Sequence, residues 1–369
     1  MIKKIIVLGG GMVGSAIARD LKENGHSVTV ADRDIGVQNR IMQFDIKFVK
    51  LDFSDFNSVH KTVQQFDFVI GAVPGFLGYR ILQTVLEAKK DIVDISFMPE
   101  DPRGLNKIAV ENGVTAITDA GVAPGLSNLM FGNALSEFDK LDSAKCFVGG
   151  LPQNPKPPWW YKSVFSPIDV VEEYTRPARL VENGQIVTKP AMTEIEPVEF
   201  ENIATLDAFN SDGLRTLLDL PIPNMVEKTM RFQGHIQKII EMKNQGLFED
   251  DKIKETSESL IQDWKPEKDD YDQTIMRLEF RGIKDNKQIT DTTDLIDYFD
   301  REKGISSMAR TTGYTCTAVA DLLISEKFTS KGVFAMESLG KNRNLVDSVL
   351  NHLSVRNVIL LKRQDIETK

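Results

Sequence analysis

The chain has few of the residues that build disulfide scaffolds and metal centres. Its 369 residues include two cysteines, Cys146 and Cys316, and four histidines. The cysteines are far apart and the histidines show no paired spacing, which argues against a disulfide framework and against a metal site. We therefore expect no metal cofactor and a reducing compartment, the cytoplasm.

Long apolar runs and an excess of positive charge are also missing. No run approaches the ~20 apolar residues that cross a bilayer, and the first residues enter a strand pattern directly, so we expect neither a membrane interaction nor a signal peptide. The 45 lysine and arginine residues are outnumbered by 54 aspartate and glutamate residues, giving a net charge of −9. This balance argues against a nucleic-acid partner. The length and a hydrophobic content of 41% predict a globular protein with more than one domain.

The N-terminal stretch, residues 3–21, combines an apolar strand pattern, a glycine-rich turn and an amphipathic helix pattern. Its glycines have the G-x-G-x-x-G spacing, in which the first makes a tight turn, the second lets the backbone approach a pyrophosphate and the third lets helix and strand pack closely. Backbone N–H groups and the positive end of the helix dipole then face the phosphates. The predicted phosphate-binding residues are Gly9, Gly11, Met12, Val13 and Gly14.

A second strand pattern, residues 27–31, ends in Asp32. A carboxylate about 20 residues beyond the glycines accepts a hydrogen bond from the 2′-hydroxyl group of a ribose and repels a 2′-phosphate. NAD is therefore favoured over NADP as the cofactor. Arg33, the next residue, is of the type that accommodates a 2′-phosphate, so NADP stays as the alternative.

Strand and helix patterns alternate up to residue 118, which predicts an α/β fold with a parallel, doubly wound sheet and ligands at the carboxyl ends of its strands. Polar and turn residues follow each strand. Asp52 is expected beside the adenine or, equally, in the turn before the next helix. Val73 and Pro74 are expected along the nicotinamide ribose. Asp94 and Asp119 are candidate catalytic carboxylates, with turn formation or helix capping as the alternative.

The pattern changes after residue 119. We place a nucleotide-binding domain at residues 1–122, an α+β substrate and dimerisation domain with a mostly antiparallel sheet at 123–306, and C-terminal helices that pack at the domain interface at 307–369. Asn183-Gly184 between two strand patterns predicts a hairpin. Residues 224–243 read as mostly helical.

Several stretches, in order along nearly the whole chain, resemble the saccharopine dehydrogenase-like oxidoreductases and, within them, the lysine 6-dehydrogenase type. The stretches span residues 9–14, 117–132, 164–184, 206–218, 224–235 and 309–323. The glycine motif is unspecific, whereas EEYTRPA and DGLRTLL are much more specific. The resemblance implies an NAD(P) domain followed by a substrate and dimerisation domain, and a homodimer or homotetramer. It also implies hydride transfer between a carbon–nitrogen bond of a small amino-acid or diamine substrate and the nicotinamide.

One departure from the family pattern distinguishes its branches. The branches that form saccharopine or carboxynorspermidine resemble G-x-D-P-G after the last strand of the nucleotide domain, whereas residues 121–125 here read GVAPG, with Ala123 in place of the aspartate. This favours the lysine 6-dehydrogenase type, in which the ε-carbon of L-lysine gives its hydride to NAD and the imine loses ammonia to water. A reductase that condenses an amine with a carbonyl substrate and a non-catalytic NAD-binding protein remain as alternatives.

The chemistry of such a substrate suggests which side chains would hold it. An α-carboxylate calls for an arginine fork, an α-ammonium for a carboxylate, and hydride loss from an amine for a nearby base. The predicted substrate-binding residues are Glu173, Tyr174, Arg176, Arg215, Thr216, Arg231 and His235. The alternatives are a solvated, salt-bridged helix end for the EEYTR stretch and a structural role for the histidine.

Overall fold

The computed structural model describes residues 2–164, 167–201 and 203–366, without the side chains of 167–169. Residues 165 and 166 of the stretch 164–184, and residues 1, 202 and 367–369 of the predicted domains, lie outside the described residues. The chain divides into two compact units, residues 1–136 with 309–357 and residues 137–308 with 358–369.

The strands run as follows: β1 Lys4–Leu8, β2 Ser27–Asp32, β3 Lys47–Lys50, β4 Phe68–Gly71, β5 Ile92–Asp94, β6 Thr115–Thr118, β7 Lys140–Pro152, β8 Ala178–Glu182, β9 Gln185–Lys189, β10 Glu196–Phe200, β11 Ala204–Asn210, β12 Met225–Phe232, β13 Asp272–Lys284, β14 Lys287–Tyr298, β15 Gly332–Ala335 and β16 Leu360–Ile366.

The helices run as follows: α1 Met12–Glu23, α2 Ile35–Met42, α3 Phe56–Val63, α4 Gly75–Glu87, α5 Asn106–Asn112, α6 Leu126–Glu137, α7 Pro167–Thr175, α8 His235–Asn244, α9 Ile253–Asp263, α10 Ser307–Ile324, α11 Met336–Gly340 and α12 Arg343–Ser354. Two short 3₁₀ helices cover Pro102–Leu105 and Arg215–Asp219.

The first unit is built on a seven-stranded parallel sheet with the order β15-β6-β5-β4-β1-β2-β3. Its central strands are apolar on both faces, as helix-covered parallel strands must be, and Ile5 to Leu8 are fully buried. This confirms the predicted doubly wound α/β fold. The edge strand β15, which the sequence patterns did not predict, comes from the C-terminal part of the chain and pairs with β6.

The second unit is built on a nine-stranded mixed sheet with the path β10-β11-β12-β7-β13-β14-β16, to which β8 and β9 attach. Among the strand pairs of the described residues in this sheet, β12 and β7 alone are parallel, so the predicted mostly antiparallel sheet is confirmed. The predicted hairpin joins β8 and β9. Its turn has positive φ angles of 50° at Asn183 and 78° at Gly184, as the favoured two-residue turn requires.

The helical prediction for residues 224–243 was wrong in its first half. Residues 225–232 form β12, a strand inside the second sheet, and α8 begins only at His235. The strand is covered on both faces, so its polar and apolar residues do not show the simple alternation of a half-exposed strand. Among the described residues, no helix is long and apolar enough to cross a bilayer.

Candidate cofactor and substrate sites

Of the three motif glycines around the turn between β1 and α1, one is in an open position and two are in crowded ones. A Cβ atom on Gly9 would lie 2.2 Å from the carbonyl oxygen of Ala72, and one on Gly14 would lie 2.0 Å from that of Gly9. A Cβ on Gly11, which caps α1, would meet nothing within 4 Å. Gly9 and Gly14 therefore serve close packing, and Gly11 leaves space before the helix N-terminus, where a pyrophosphate would approach.

Asp32, at the end of β2, is held against this turn. Its Oδ2 accepts a hydrogen bond from the backbone N–H of Gly10 at 2.7 Å, and its Oδ1 accepts one from Asp34 at 2.9 Å. The carboxylate keeps lone pairs for a ribose diol. Arg33 is exposed, and Arg40 Nη2 donates to the carbonyl of Gly10 at 3.5 Å. Arg33 directly follows Asp32 in the chain and Arg40 reaches the glycine turn from α2, which is the physical basis of the NADP alternative.

The residues predicted beside the adenine and the nicotinamide ribose lie in turns. Asp52 Oδ1 accepts hydrogen bonds from the backbone and hydroxyl groups of Ser54 at 2.9 and 2.8 Å. This is the turn expected as the alternative, although Asp55, not Asp52, caps α3. Val73 is buried, and Pro74 occupies the N-cap position of α4.

The two candidate catalytic carboxylates are both buried. Asp94 Oδ1 accepts a hydrogen bond from the backbone N–H of Ser96 at 2.7 Å, and Oδ2 has no hydrogen-bond partner among the described residues. Burial raises the pKa of Asp94 to about 7, the Ser96 bond opposes that rise, and the charge of Asp119 adds to it. A carboxyl group in this state can exchange a proton near neutral pH. Asp119 has a φ angle of 53°, a turn conformation.

In the second unit, four predicted residues from separate stretches form one hydrogen-bonded cluster. Arg231, in the middle of β12, is 1% exposed. Its Nη2 donates to Glu173 Oε2 at 2.5 Å and its Nε donates to the hydroxyl oxygen of Tyr174 at 2.9 Å. The Tyr174 hydroxyl group also lies 2.9 Å from His235 Nε2. The cluster thus joins α7, β12 and α8.

His235 is neutral in this cluster. Its Nδ1 lies 2.7 Å from the carbonyl oxygen of Trp159, which can only accept, so Nδ1 carries the proton and Nε2 accepts from Tyr174. Burial lowers the pKa of His235 to about 3, and the charge of Arg231 acts in the same direction. In this state His235 accepts the hydrogen bond that holds the Tyr174 hydroxyl group.

The remaining predicted residues are Arg176, directly after α7, and Arg215 and Thr216, in a 3₁₀ helix. Arg176 pairs with Glu172 one helical turn earlier, and both side chains are more than a third exposed, as at a solvated helix end. Arg215 is half-buried at the start of a 3₁₀ helix. Thr216 is buried, and its Oγ1 has no hydrogen-bond partner among the described residues.

A polar row on one face of β12 was missed by the sequence reasoning. Glu227, Thr229 and Arg231 alternate along the strand and are all buried. The Thr229 hydroxyl group donates a hydrogen bond to Ser211 Oγ at 2.9 Å, and this bond joins the row to the segment before the 3₁₀ helix. The period-two spacing of three polar residues was the available signal, and the helical reading of the stretch concealed it.

A parallel sheet with a glycine turn, followed by a domain with a buried charged cluster, is the arrangement expected of a two-domain pyridine-nucleotide oxidoreductase. Residues 5–117 match the family model described as Saccharopine dehydrogenase NADP binding domain, and residues 121–359 match the one described as Saccharopine dehydrogenase C-terminal domain. The chain belongs to the saccharopine dehydrogenase family. The first unit accordingly binds a pyridine nucleotide.

Two relatives and one solved structure place the chain within this family. It is 25% identical over 266 residues to saccharopine dehydrogenase (NADP(+), L-glutamate-forming) of Saccharomyces cerevisiae, covering 68% of this chain and 60% of that protein. It is 24% identical over 221 residues to alpha-aminoadipic semialdehyde synthase of Arabidopsis thaliana, covering 56% of this chain and 21% of that protein. The matched part is thus less than two thirds of either relative's length.

The shared fold extends over nearly the entire chain. The structure of the apo saccharopine dehydrogenase (L-Glu forming) from Saccharomyces cerevisiae superposes with a TM-score of 0.82 at 19% identity, covering 98% of this chain and 100% of that chain. At that identity the likeness concerns the fold. The names of the family model and of the yeast relative carry NADP, whereas the sequence prediction was NAD.

Proposed function

We propose that the protein transfers a hydride between a carbon–nitrogen bond of an α-amino acid and a nicotinamide, with the ε-amine of L-lysine as the reacting group. The observation that carries this proposal is the buried cluster of Arg231, Glu173 and Tyr174 in the domain that follows the nucleotide domain. The cluster shows that this domain holds desolvated charged side chains, and an arginine and a carboxylate are the group types that recognise the two charges of an amino acid. Family membership supports the reaction class.

The choice of lysine rests on Ala123, which replaces the aspartate of the condensing branches. Oxidation of the amine needs one proton removed from the ammonium group and one hydride removed from the adjoining carbon, and water then releases ammonia from the resulting iminium. Asp94 and Asp119 are the proposed proton acceptors, and the near-neutral pKa of Asp94 suits that task. A bound pyridine nucleotide would supply the hydride acceptor.

We propose NAD as the preferred cofactor. Asp32 presents a carboxylate at the end of β2, fixed by Gly10 and Asp34, and a carboxylate there disfavours a 2′-phosphate. NADP is the alternative, supported by the names of the relatives and by Arg33 and Arg40. A homodimer or homotetramer is proposed on the family resemblance alone.

A second candidate function is the oxidation of saccharopine to L-glutamate and a semialdehyde. It is supported by the names of the relatives, and it would require the chain to work without the aspartate that Ala123 replaces. A third is nucleotide binding without turnover.

Absorbance at 340 nm decides among the three. The purified chain is incubated with NAD or NADP and with L-lysine, L-ornithine or saccharopine. We expect NADH formation with L-lysine alone. Formation of reduced cofactor with saccharopine only would establish the second function. Nucleotide binding by calorimetry with no reduction in any mixture would support the third.

A further inference from the structure

Glu227, on β12, is a buried carboxyl group with no partner among the described residues. It is 6% exposed, and its carboxyl oxygens make no hydrogen bond or ion pair with the residues that the structure describes. The backbone of Gly213 lies against it so closely that a Cβ atom there would fall 1.6 Å from Oε1. An unpaired carboxyl group in such a place lowers stability unless something else binds it. Folding alone therefore gives no reason for a glutamate here.

The other carboxylates near Glu227 are paired. Glu173 receives Nη2 of Arg231 at 2.5 Å, and Asp212 receives Nε and Nη2 of Arg179 at 2.9 Å each. The charges of Glu173 and Asp212 act on Glu227 in one direction, and the charge of Arg215 acts on it in the opposite direction. Gly213, whose backbone lies against the Glu227 carboxyl group, is two residues before Arg215, so the segment that carries Arg215 runs beside Glu227.

A carboxyl group and a guanidinium group placed in this way complement the head of an α-amino acid. The ammonium and carboxylate groups of that head are carried by one carbon atom, so they need an acceptor and a donor side by side. The buried hydroxyl group of Thr216, next to Arg215, also has no partner among the described residues. We propose that Glu227 receives the α-ammonium group of an amino-acid substrate, with Arg215 beside it for the α-carboxylate. This inference rests on the proposed function and deepens it.

Binding of an ammonium group at this site is expected to be coupled to the release of a proton. Burial raises the pKa of Glu227 to about 8, the charges of Glu173 and Asp212 add to the rise, and Arg215 opposes it. Cys146 of β7, in register with Glu227, has its pKa raised by burial and stays a neutral thiol. At pH 7 the empty site therefore holds a proton on Glu227. An arriving ammonium group favours the carboxylate, so binding releases that proton and affinity rises with pH up to about 8.

Isothermal titration calorimetry with two probes tests the assignment, with and without saturating NADH and NADPH. L-Lysine has the α-ammonium group, and 6-aminohexanoate lacks it while keeping the carboxylate and the terminal amine. We expect Glu227→Gln to weaken L-lysine binding roughly 10- to 100-fold, the loss for one charge-assisted hydrogen bond, and to leave 6-aminohexanoate within about threefold. Glu227→Asp should restore part of the loss. Titrations in buffers of different ionisation enthalpy should reveal proton release with the wild type and none with Glu227→Gln.

The outcomes separate this inference from the proposed function. If the wild type does not distinguish the two probes, or Glu227→Gln weakens both equally, Glu227 does not receive the α-ammonium group. Lysine turnover with an unchanged KM in Glu227→Gln would overturn the inference and leave the proposed function in place. Selective L-lysine binding that depends on Glu227, without turnover, would support the inference and overturn the proposed function. Should the variant fail to fold, wild-type probe selectivity together with proton release at pH 7 decides, and absence of either overturns the inference.

Discussion

Tyr174 and Arg231, which are 57 residues apart in the sequence, meet through a 2.9 Å hydrogen bond from the guanidinium Nε to the phenol oxygen. Both side chains are buried, so neither group can turn to water if the other is lost. Tyr174→Phe should therefore lower the free energy of unfolding by about 1 to 3 kcal/mol, measured by urea denaturation. Tyr298→Phe removes a hydroxyl group from a tyrosine that is 49% exposed and is the matched control. Equal effects of the two substitutions would show that the buried bond contributes nothing.

The glycine turn allows its packing role to be separated from its binding role. Gly14→Ala places a Cβ atom 2.0 Å from a backbone oxygen, and we expect thermal unfolding several degrees lower. Gly11→Ala adds its methyl group to open space, so the melting temperature without nucleotide should stay within about 2 °C of the wild type. The dissociation constant for the nucleotide should nevertheless rise about tenfold or more, because the methyl group stands where the pyrophosphate approaches. Unchanged nucleotide affinity in Gly11→Ala would place the phosphates elsewhere.

We expect Asp32 to determine the preference for NAD over NADP. Asp32→Ser removes the carboxylate that accepts from Gly10 and Asp34, so NAD should bind more weakly and the preference should move toward NADP, by about 1 to 2 kcal/mol in the ratio of affinities. Asp34→Ser is the control, because it removes the same charge two residues away while keeping a residue type that can cap α2. A similar shift in both variants would mean that overall charge, not the position of Asp32, sets the preference.

The sequence could predict the first unit because its signals are local. Strand, turn and helix follow one another within about 20 residues in each βα unit, and the glycine spacing fixes the turn chemistry. The edge strand β15 could not be predicted in the same way. It consists of four residues that pair with β6 more than 200 positions earlier in the chain, as Gly332 does with Thr115. Its strand character comes from the partner and not from its own pattern.

The candidate substrate site was predicted in part for a related reason. Arg231, Glu173, Tyr174 and His235 were identified from stretches that resemble a family, and the structure brings them into one cluster. Glu227 was missed because residues 224–243 were read as a helix, in which Glu227 and Arg231 are neighbours but Thr229 points elsewhere. In the actual strand the three side chains share one face. Reading this segment with helical periodicity therefore concealed part of the site, whereas the fold class was still predicted correctly.

A buried histidine in the first unit makes the stability of the protein depend on pH. His352 of α12 lies with Nδ1 2.9 Å from Asp321 of α10 and with Nε2 3.5 Å from Asp20 of α1. Burial by itself lowers the pKa of His352, but the hydrogen bonds to the two carboxylates outweigh burial and leave the pKa raised. Burial likewise opposes ionisation of Asp20, yet His352 and Arg356 leave the pKa of Asp20 lowered. The His352 imidazolium and the carboxylates of Asp20 and Asp321 thus connect α12 with α1 and α10.

The raised pKa of His352 determines whether stability rises or falls with pH. A raised folded-state pKa of His352 contributes stability that is complete below its unfolded pKa of about 6.5, and that is lost as pH rises through the folded value. His352→Gln should therefore lower the free energy of unfolding by about 1 to 3 kcal/mol at pH 6, and by less at pH 9. Urea denaturation of both proteins from pH 5.5 to 9 measures the difference. His60→Gln, which replaces a histidine on α3, is the matched control for the substitution itself. A His352→Gln deficit that grew with pH would mean that the neutral imidazole, and not the imidazolium, joins the helices.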